Sequence, residues 1–432
     1  MLNFRHKAVK KRVWIPAVAL LSAGAAALAQ NASVLKDATV YNRPVHMMSN
    51  GKLEVAIVKT GGSVLRMRLP AESDGLSPFG NPEMMPQIPD NRKLNGPMVG
   101  SFVAVDGFGS PSREEQQAGM VMHGEAYLLP WNLVSAEKQG AVQSAKFTAD
   151  MPKLQEVFSR TYKMVDGENV LYVDSELESK VAFDRTINWG EHPFLFPPFM
   201  EAEKTVVDMS GTRAKTRSYP GRGGAGGRGA GAGRGGAQGA GAGRGPGGPG
   251  GPGGAAANPN IQRLTLVEGQ DFTWPNAPMP DGKTLDLRAP PANATMTTHT
   301  TTLMDPSRKL AFITVLNTAR RYMLGYVFHR EEYPWVQNYM AYPADGWLGR
   351  GLEFATQPFD LPRREMVELN KMFDTPVYRW LPAKSKISTK FLIFWTKSPE
   401  GMVKVDDVKL ENGKLIVEGS GKSFTLDASL GL

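Results

Sequence analysis

Apolar and polar residues alternate in short runs along most of this chain, and a period of two is the signature of half-buried strands. Leu53, Val55 and Ile57 alternate with Glu54, Ala56 and Val58, and Leu65, Met67 and Leu69 alternate with Val64, Arg66 and Arg68. Thr60-Gly61-Gly62 between them predicts a tight turn. The same period returns over residues 145–184, with Asp166-Gly167 as a hairpin turn, and over residues 308–316 and 322–328. Residues 386–396 place Ile387, Phe391, Ile393 and Trp395 on one side, and residues 408–417 fold around Asn412-Gly413, the strongest hairpin signal in the chain. No long amphipathic helix is legible. The pattern therefore predicts an all-β protein of predominantly antiparallel strands, forming a large β-sandwich.

One stretch breaks the alternation. Residues 188–199, NWGEHPFLFPPF, set His192 among aromatic rings and prolines with no helical period. Such a segment predicts a stiff, partly buried wall carrying a side chain able to hold or release a proton near neutral pH. A packed loop histidine is equally compatible with it. His123-Gly124 lies ahead of Pro130-Trp131, and residues 351–360, GLEFATQPFD, place Glu353 among apolar and small residues. A carboxylate in that company is costly unless it is hydrogen-bonded or functional. Trp131, Trp189 and Trp335 are candidates for stacking on a sugar or for core packing, and Gln337 lies in a second aromatic and polar cluster.

Composition narrows the picture. The 432 residues are 41% hydrophobic, enough for a large core, and carry a formal charge of +8. That charge is not a nucleic-acid footprint. Arg5, Lys7, Lys10, Lys11 and Arg12 stand at the N-terminus, and Arg222, Arg228, Arg234 and Arg244 stand in a glycine-rich tract, so the remainder is close to neutral. Residues 1–29 read as a secretory signal: a basic start, a short apolar run, then Ala27-Leu28-Ala29 before Gln30. The expected location is periplasmic or secreted, without stable membrane insertion after cleavage. There is no cysteine, so export brings no disulfides. Residues 221–254 are almost entirely Gly, Ala, Arg and Pro, which predicts a disordered insertion within one domain over residues 30–400. Residues 401–432 then form a C-terminal hairpin extension. Gly107-Phe108-Gly109 lacks the following helix of a dinucleotide loop, and Gly421-Lys422-Ser423 lacks the upstream glycine of a phosphate loop.

His123-Gly124, His192-Pro193-Phe194, and Leu352-Glu353 with Thr356-Gln357 and Phe359-Asp360, taken in that order on a β background, resemble the aldose 1-epimerase (galactose mutarotase) family. The opening Asn50-Gly51 segment with its Gly61-Gly62 turn is also similar to that family's start. The resemblance implies a galactose mutarotase-like supersandwich, a carbohydrate substrate, and catalytic residues Glu353, His192 and His123. It also implies a substrate-binding arginine, for which Arg92 is placed similarly, and an aspartate, for which Asp345 is a possible counterpart. The pattern is that of a divergent member.

The chemistry follows from what anomer exchange requires. One group takes the proton of the anomeric hydroxyl while another protonates the ring oxygen, the ring opens, and it closes on the other face. A carboxylate with an ordinary pKa is ionised at neutral pH and an imidazole is easily raised into the protonated state by a neighbouring acid, so Glu353 is the expected base and His192 the expected acid, with His123 polarising or hydrogen-bonding the same oxygen. No metal or organic cofactor is required. Two other readings stay open: a non-catalytic carbohydrate-binding protein, and a glycoside hydrolase or lyase using Glu191 and Glu353.

Overall fold

The computed structural model describes residues 34–80, 98–218, 261–342 and 348–432. The signal segment, the glycine-rich insertion, Arg92 and Asp345 lie outside the described residues. The predicted runs fold as strands. Glu54–Val58 and Val64–Arg68 pair around the Gly61-Gly62 turn, Glu156–Val165 pairs with Val170–Ser179 around Asp166-Gly167, and Lys386–Lys397 is one long strand.

Among the described residues two sheets carry the architecture, one of twelve strands and one of eight. The larger runs from edge strand Lys36–Val40 through Ser101–Val105, Trp189–Leu195, Gly349–Ala355, Trp335–Tyr342 and Ala294–Met304 to Gly211–Thr216 and Asp271–Thr273. The smaller runs from Thr205–Met209 through Leu310–Asn317, Tyr322–His329, Lys386–Lys397, Val170–Ser179, Glu156–Val165 and Val142–Met151 to Asn132–Gln139. Neighbours along both of these paths are antiparallel. This is the expected all-β sandwich.

The core fills the space between the sheets, and the alternation of side chains decides what enters it. On Lys386–Lys397, Phe391, Ile393 and Trp395 point into that core, whereas Leu392 and Phe394 point outward. Rings meet across the layers, Phe158 with Trp189 and Phe328 with Phe354. The outward face of the smaller sheet is covered in turn by the C-terminus. Val408, Leu415 and Val417 pack on Val170, Phe312, Leu392 and Phe394. The hairpin at Asn412-Gly413 is joined there by a third strand, Lys422–Asp427.

Residues 188–199 are more regular than their composition suggests. Trp189–Leu195 is a fully buried strand in the middle of the larger sheet, between Ser101–Val105 and Gly349–Ala355. Proline has no amide hydrogen to give a ladder, and the pairing with Gly349–Ala355 runs from Gly190 and Glu191 directly to Phe194 and Leu195, skipping His192 and Pro193. The candidate site lies at that gap in the ladder. Among the described residues, no helix is long and apolar enough to cross a membrane.

Candidate active site

Residues paired across antiparallel strands share a face, so the register sorts this region into two sides. Glu191 pairs with Phe354, and both Phe354 and its neighbour Leu352 belong to the core between the sheets. His192 and Glu353, each one residue along, therefore point to the other side. Gln337 pairs with Glu353, Tyr339 with Gly351, and His299 with Tyr339, which puts His299, Tyr339, Gln337, Glu353 and His192 on one face. Four strands supply them.

At the centre, His192 Nε2 lies 3.3 Å from Glu353 Oε1, and His299 Nε2 lies 3.8 Å from the same oxygen. His123 comes from a loop and meets the His192 ring edge-on, with centroids 5.4 Å apart. Phe102 stacks on His192 at 4.5 Å, and Phe194 stands edge-on to it. Two small residues keep this arrangement open. A Cβ on Gly190 would run into the Phe108 ring, and one on Gly351 would come within 3.2 Å of Glu353 Oε1 and 3.3 Å of His192 Cε1.

Electrostatics here reverse the expected charges. Burial, with Asp360 adding to it and Arg217 opposing it, pushes the Glu353 carboxyl up to about 8. Burial also lowers His192 well below its usual value, with His123 adding to it, and lowers His123 to about 4. The pair is therefore a protonated carboxyl beside a neutral imidazole at neutral pH, rather than a carboxylate beside an imidazolium. Nor do the two groups face one another across the width of a sugar. They are in contact.

His123 is oriented by its surroundings. Its backbone adopts φ +59°, its N–H donates to the Gly109 carbonyl, and the Gly109 N–H donates to His123 Nδ1 at 3.2 Å. The Gly107-Phe108-Gly109 segment is thus the support of this histidine, and its Phe108 lies beneath Gly190. Asp106 anchors the start of the same segment through ion pairs to Arg185 and Arg363.

Several candidates are placed elsewhere. Trp131 is buried, packs on Phe158, and donates its Nε1–H to the Ala126 carbonyl, while Trp189 lies in the core beside Phe158. Trp335 is on the site's face but covered by Met366, Val377 and Phe373, with its Nε1–H on the Pro376 carbonyl. None of the three presents a ring to a ligand; in each case burial of a large apolar surface won. Gln337 is fully buried, and both ends of its amide are engaged, Oε1 by Arg217 and Nε2 by the Gln357 carbonyl, so it serves as scaffold. Glu191 points between the sheets and pairs with Arg160, both nearly inaccessible, which removes the proposed two-carboxylate hydrolase pair.

His299 and Arg217 escaped the sequence reading. The signal available was a single histidine in a threonine-rich run, residues 297–302, just where alternation makes every second residue share a face. Among the described residues, no group of three or more His, Cys, Asp or Glu is placed to hold a metal ion. A cavity of about 370 Å³ elsewhere, lined by Val34, Leu35, Glu54, Arg66 and Arg68, shares no residue with this cluster. Its one carboxylate is held by the two arginines, so it offers no acid/base pair.

No protein-family model and no curated protein matches this sequence. Solved structures do match its shape. A galactose mutarotase-like protein from Clostridium acetobutylicum superposes with a TM-score of 0.53 at 10% identity, covering 84% of this chain and 98% of its own. A Synechocystis protein gives 0.51 at 12% identity, with 82% and 96% covered. A Klebsiella pneumoniae protein with a provisional aldose 1-epimerase name gives 0.51 at 9% identity, with 84% and 83% covered.

Proposed function

We propose that this chain, which has the galactose mutarotase-like β-sandwich fold, is an aldose 1-epimerase-type isomerase that interconverts the anomers of a sugar by opening and closing its ring. The contact between His192 and Glu353 carries this reading. O1 and O5 of a pyranose are bonded to the same carbon, so an acid and a base standing side by side are able to address both oxygens at once.

Atoms and charge balance as follows. The protonated Glu353 carboxyl gives its proton to O5 as the C1–O5 bond breaks, and the neutral His192 imidazole takes the proton of the O1 hydroxyl as C1=O1 forms. The open aldehyde rotates about C1–C2. Closure on the other face returns both protons, and neither protein group is changed. The transient carboxylate and imidazolium are adjacent, so each stabilises the other in a buried site. A positioned proton donor and acceptor contribute on the order of 10²- to 10⁴-fold each.

Polarimetry of freshly dissolved α-glucose and α-galactose tests this reading. Faster approach to anomeric equilibrium that is lost in both Glu353→Gln and His192→Asn is the expected result. Sugar binding by calorimetry with no acceleration would instead make the chain a carbohydrate-binding protein.

A further inference from the structure

Arg217 stands outside the acid/base pair, yet its contacts fix what His299 is able to do. It follows strand Gly211–Thr216, and its own N–H donates to the His299 carbonyl at 3.1 Å, so the two residues are held side by side. Its Nη1 lies 2.7 Å from His299 Nδ1, its Nη2 donates to Gln337 Oε1 at 2.5 Å, and Asp360 forms an ion pair with Nη1. A guanidinium has only donors and does not deprotonate in proteins. The imidazole nitrogen facing it must therefore offer a lone pair.

The rest follows from imidazole chemistry. With Nδ1 unprotonated, the hydrogen of the neutral ring is on Nε2. That nitrogen is buried, has no hydrogen-bond partner among the described residues, and stands 3.8 Å from Glu353 Oε1. The ring packs at a tilt against Tyr339 at a centroid distance of 4.6 Å, and the side chain as a whole is only 16% exposed.

We propose that Arg217 is a positioning residue that locks His299 in the Nε2–H tautomer, making it a fixed hydrogen-bond donor to a ligand oxygen beside Glu353. His123 reaches the same state by another route, since the Gly109 N–H occupies its Nδ1. The His192 and Glu353 pair is thus flanked by two donors whose direction does not change with pH across the neutral range. Such a site selects a ligand that presents oxygen lone pairs at both positions, as a polyhydroxylated ring does. The identity of that ligand rests on the proposed function; the tautomer does not.

The test is nitrogen NMR of the full-length protein labelled with ¹⁵N-histidine, with the His299 signals assigned by their loss in His299→Gln. In the wild type, Nδ1 of His299 is expected to resonate as an unprotonated, pyridine-type nitrogen and Nε2 as a protonated, pyrrole-type nitrogen, unchanged between about pH 5.5 and 8 around the ordinary histidine value. Arg217→Met should release the ring into a tautomer mixture that titrates, and Arg217→Lys, which keeps a cationic donor, should partly restore the lock. For an active enzyme, Arg217→Met should also raise KM about tenfold with a smaller change in kcat, the effect of misdirecting one hydrogen bond. An Nδ1–H tautomer in the wild type, or His299 signals unmoved in a folded Arg217→Met, overturns the proposal. The wild-type spectrum decides the matter even where a variant fails to fold. A locked tautomer in a protein that does not accelerate mutarotation would refute the proposed function and leave this inference standing.

Discussion

His192 and Glu353 meet at 3.3 Å across neighbouring antiparallel strands, at the two positions where the ladder around Pro193 is interrupted. A strand with an intact ladder keeps its pleat uniform; a residue without an amide hydrogen removes that constraint locally. The pair is consequently built on rigid strands, and its geometry is held by a sheet rather than by a loop.

The first prediction concerns pH. The form of Glu353 that donates a proton is the protonated one, present below about 8, and His192 is neutral across the neutral range because its pKa is lowered. kcat/KM for anomer exchange should therefore be flat through neutrality and fall as pH rises past about 8. A rise through that pH would show that the ionised carboxylate is the working form and would reverse the assignment of acid and base.

Stability should respond at the same group with the opposite benefit from mutation. The Glu353 pKa is raised from 4.5 to about 8 in the folded state, so its contribution is full below the unfolded value and is lost as pH rises through the folded one. Glu353→Gln stays neutral throughout. It should match the wild type in denaturant melts near pH 5 and exceed it above pH 8, by on the order of 1–3 kcal/mol. Equal stability at both pH values would mean that the carboxyl is not held protonated by burial.

Gly351 tests how tightly the gap is drawn. Its backbone is not in the left-handed region, but a Cβ there would crowd both Glu353 Oε1 and His192 Cε1. Gly351→Ala should leave the circular dichroism spectrum and melting temperature close to those of wild type, and should lower kcat/KM by on the order of tenfold or more, because displacement of reacting groups by a fraction of an ångström is costly. Unchanged turnover would show that the ligand does not approach along this edge.

The buried pair of Glu191 and Arg160 ties the two sheets together. Arg160 also donates to Ser175 Oγ at 2.8 Å and lies against the Phe158 ring, so removing its partner leaves a charge without water. Glu191→Ala should cost about 3–5 kcal/mol in urea unfolding, whereas the double change Arg160→Met with Glu191→Leu should recover most of it. If Glu191→Ala were stable and inactive instead, Glu191 would have a chemical role that its position between the sheets does not provide.

Some of this was legible without coordinates. The alternation at Lys386–Lys397 set Phe391, Ile393 and Trp395 on the core side, and the turns at Gly61-Gly62 and Asp166-Gly167 joined the strands they were expected to join. The order His123, His192, Glu353 pointed to three side chains that the fold does bring together. Residues 188–199 were harder, because Pro193 hides a central strand behind a residue that sheets usually reject.

By itself the sequence determined the period of the strands, the turns between them, and which rare titratable residues stand in unusual company. Tertiary structure alone decided which face each of them occupies. Trp189 and Phe194 are both aromatic on one strand, yet the first enters the core and the second lines the site, since a period of two defines two faces without saying which one the second sheet will cover. Charge state was likewise a tertiary matter, because the protonation of Glu353 comes from burial and from the nearby Asp360, which together outweigh the opposing charge of Arg217. So was the role of His299, set by Arg217 at a distance of 82 residues along the chain and 2.7 Å through space.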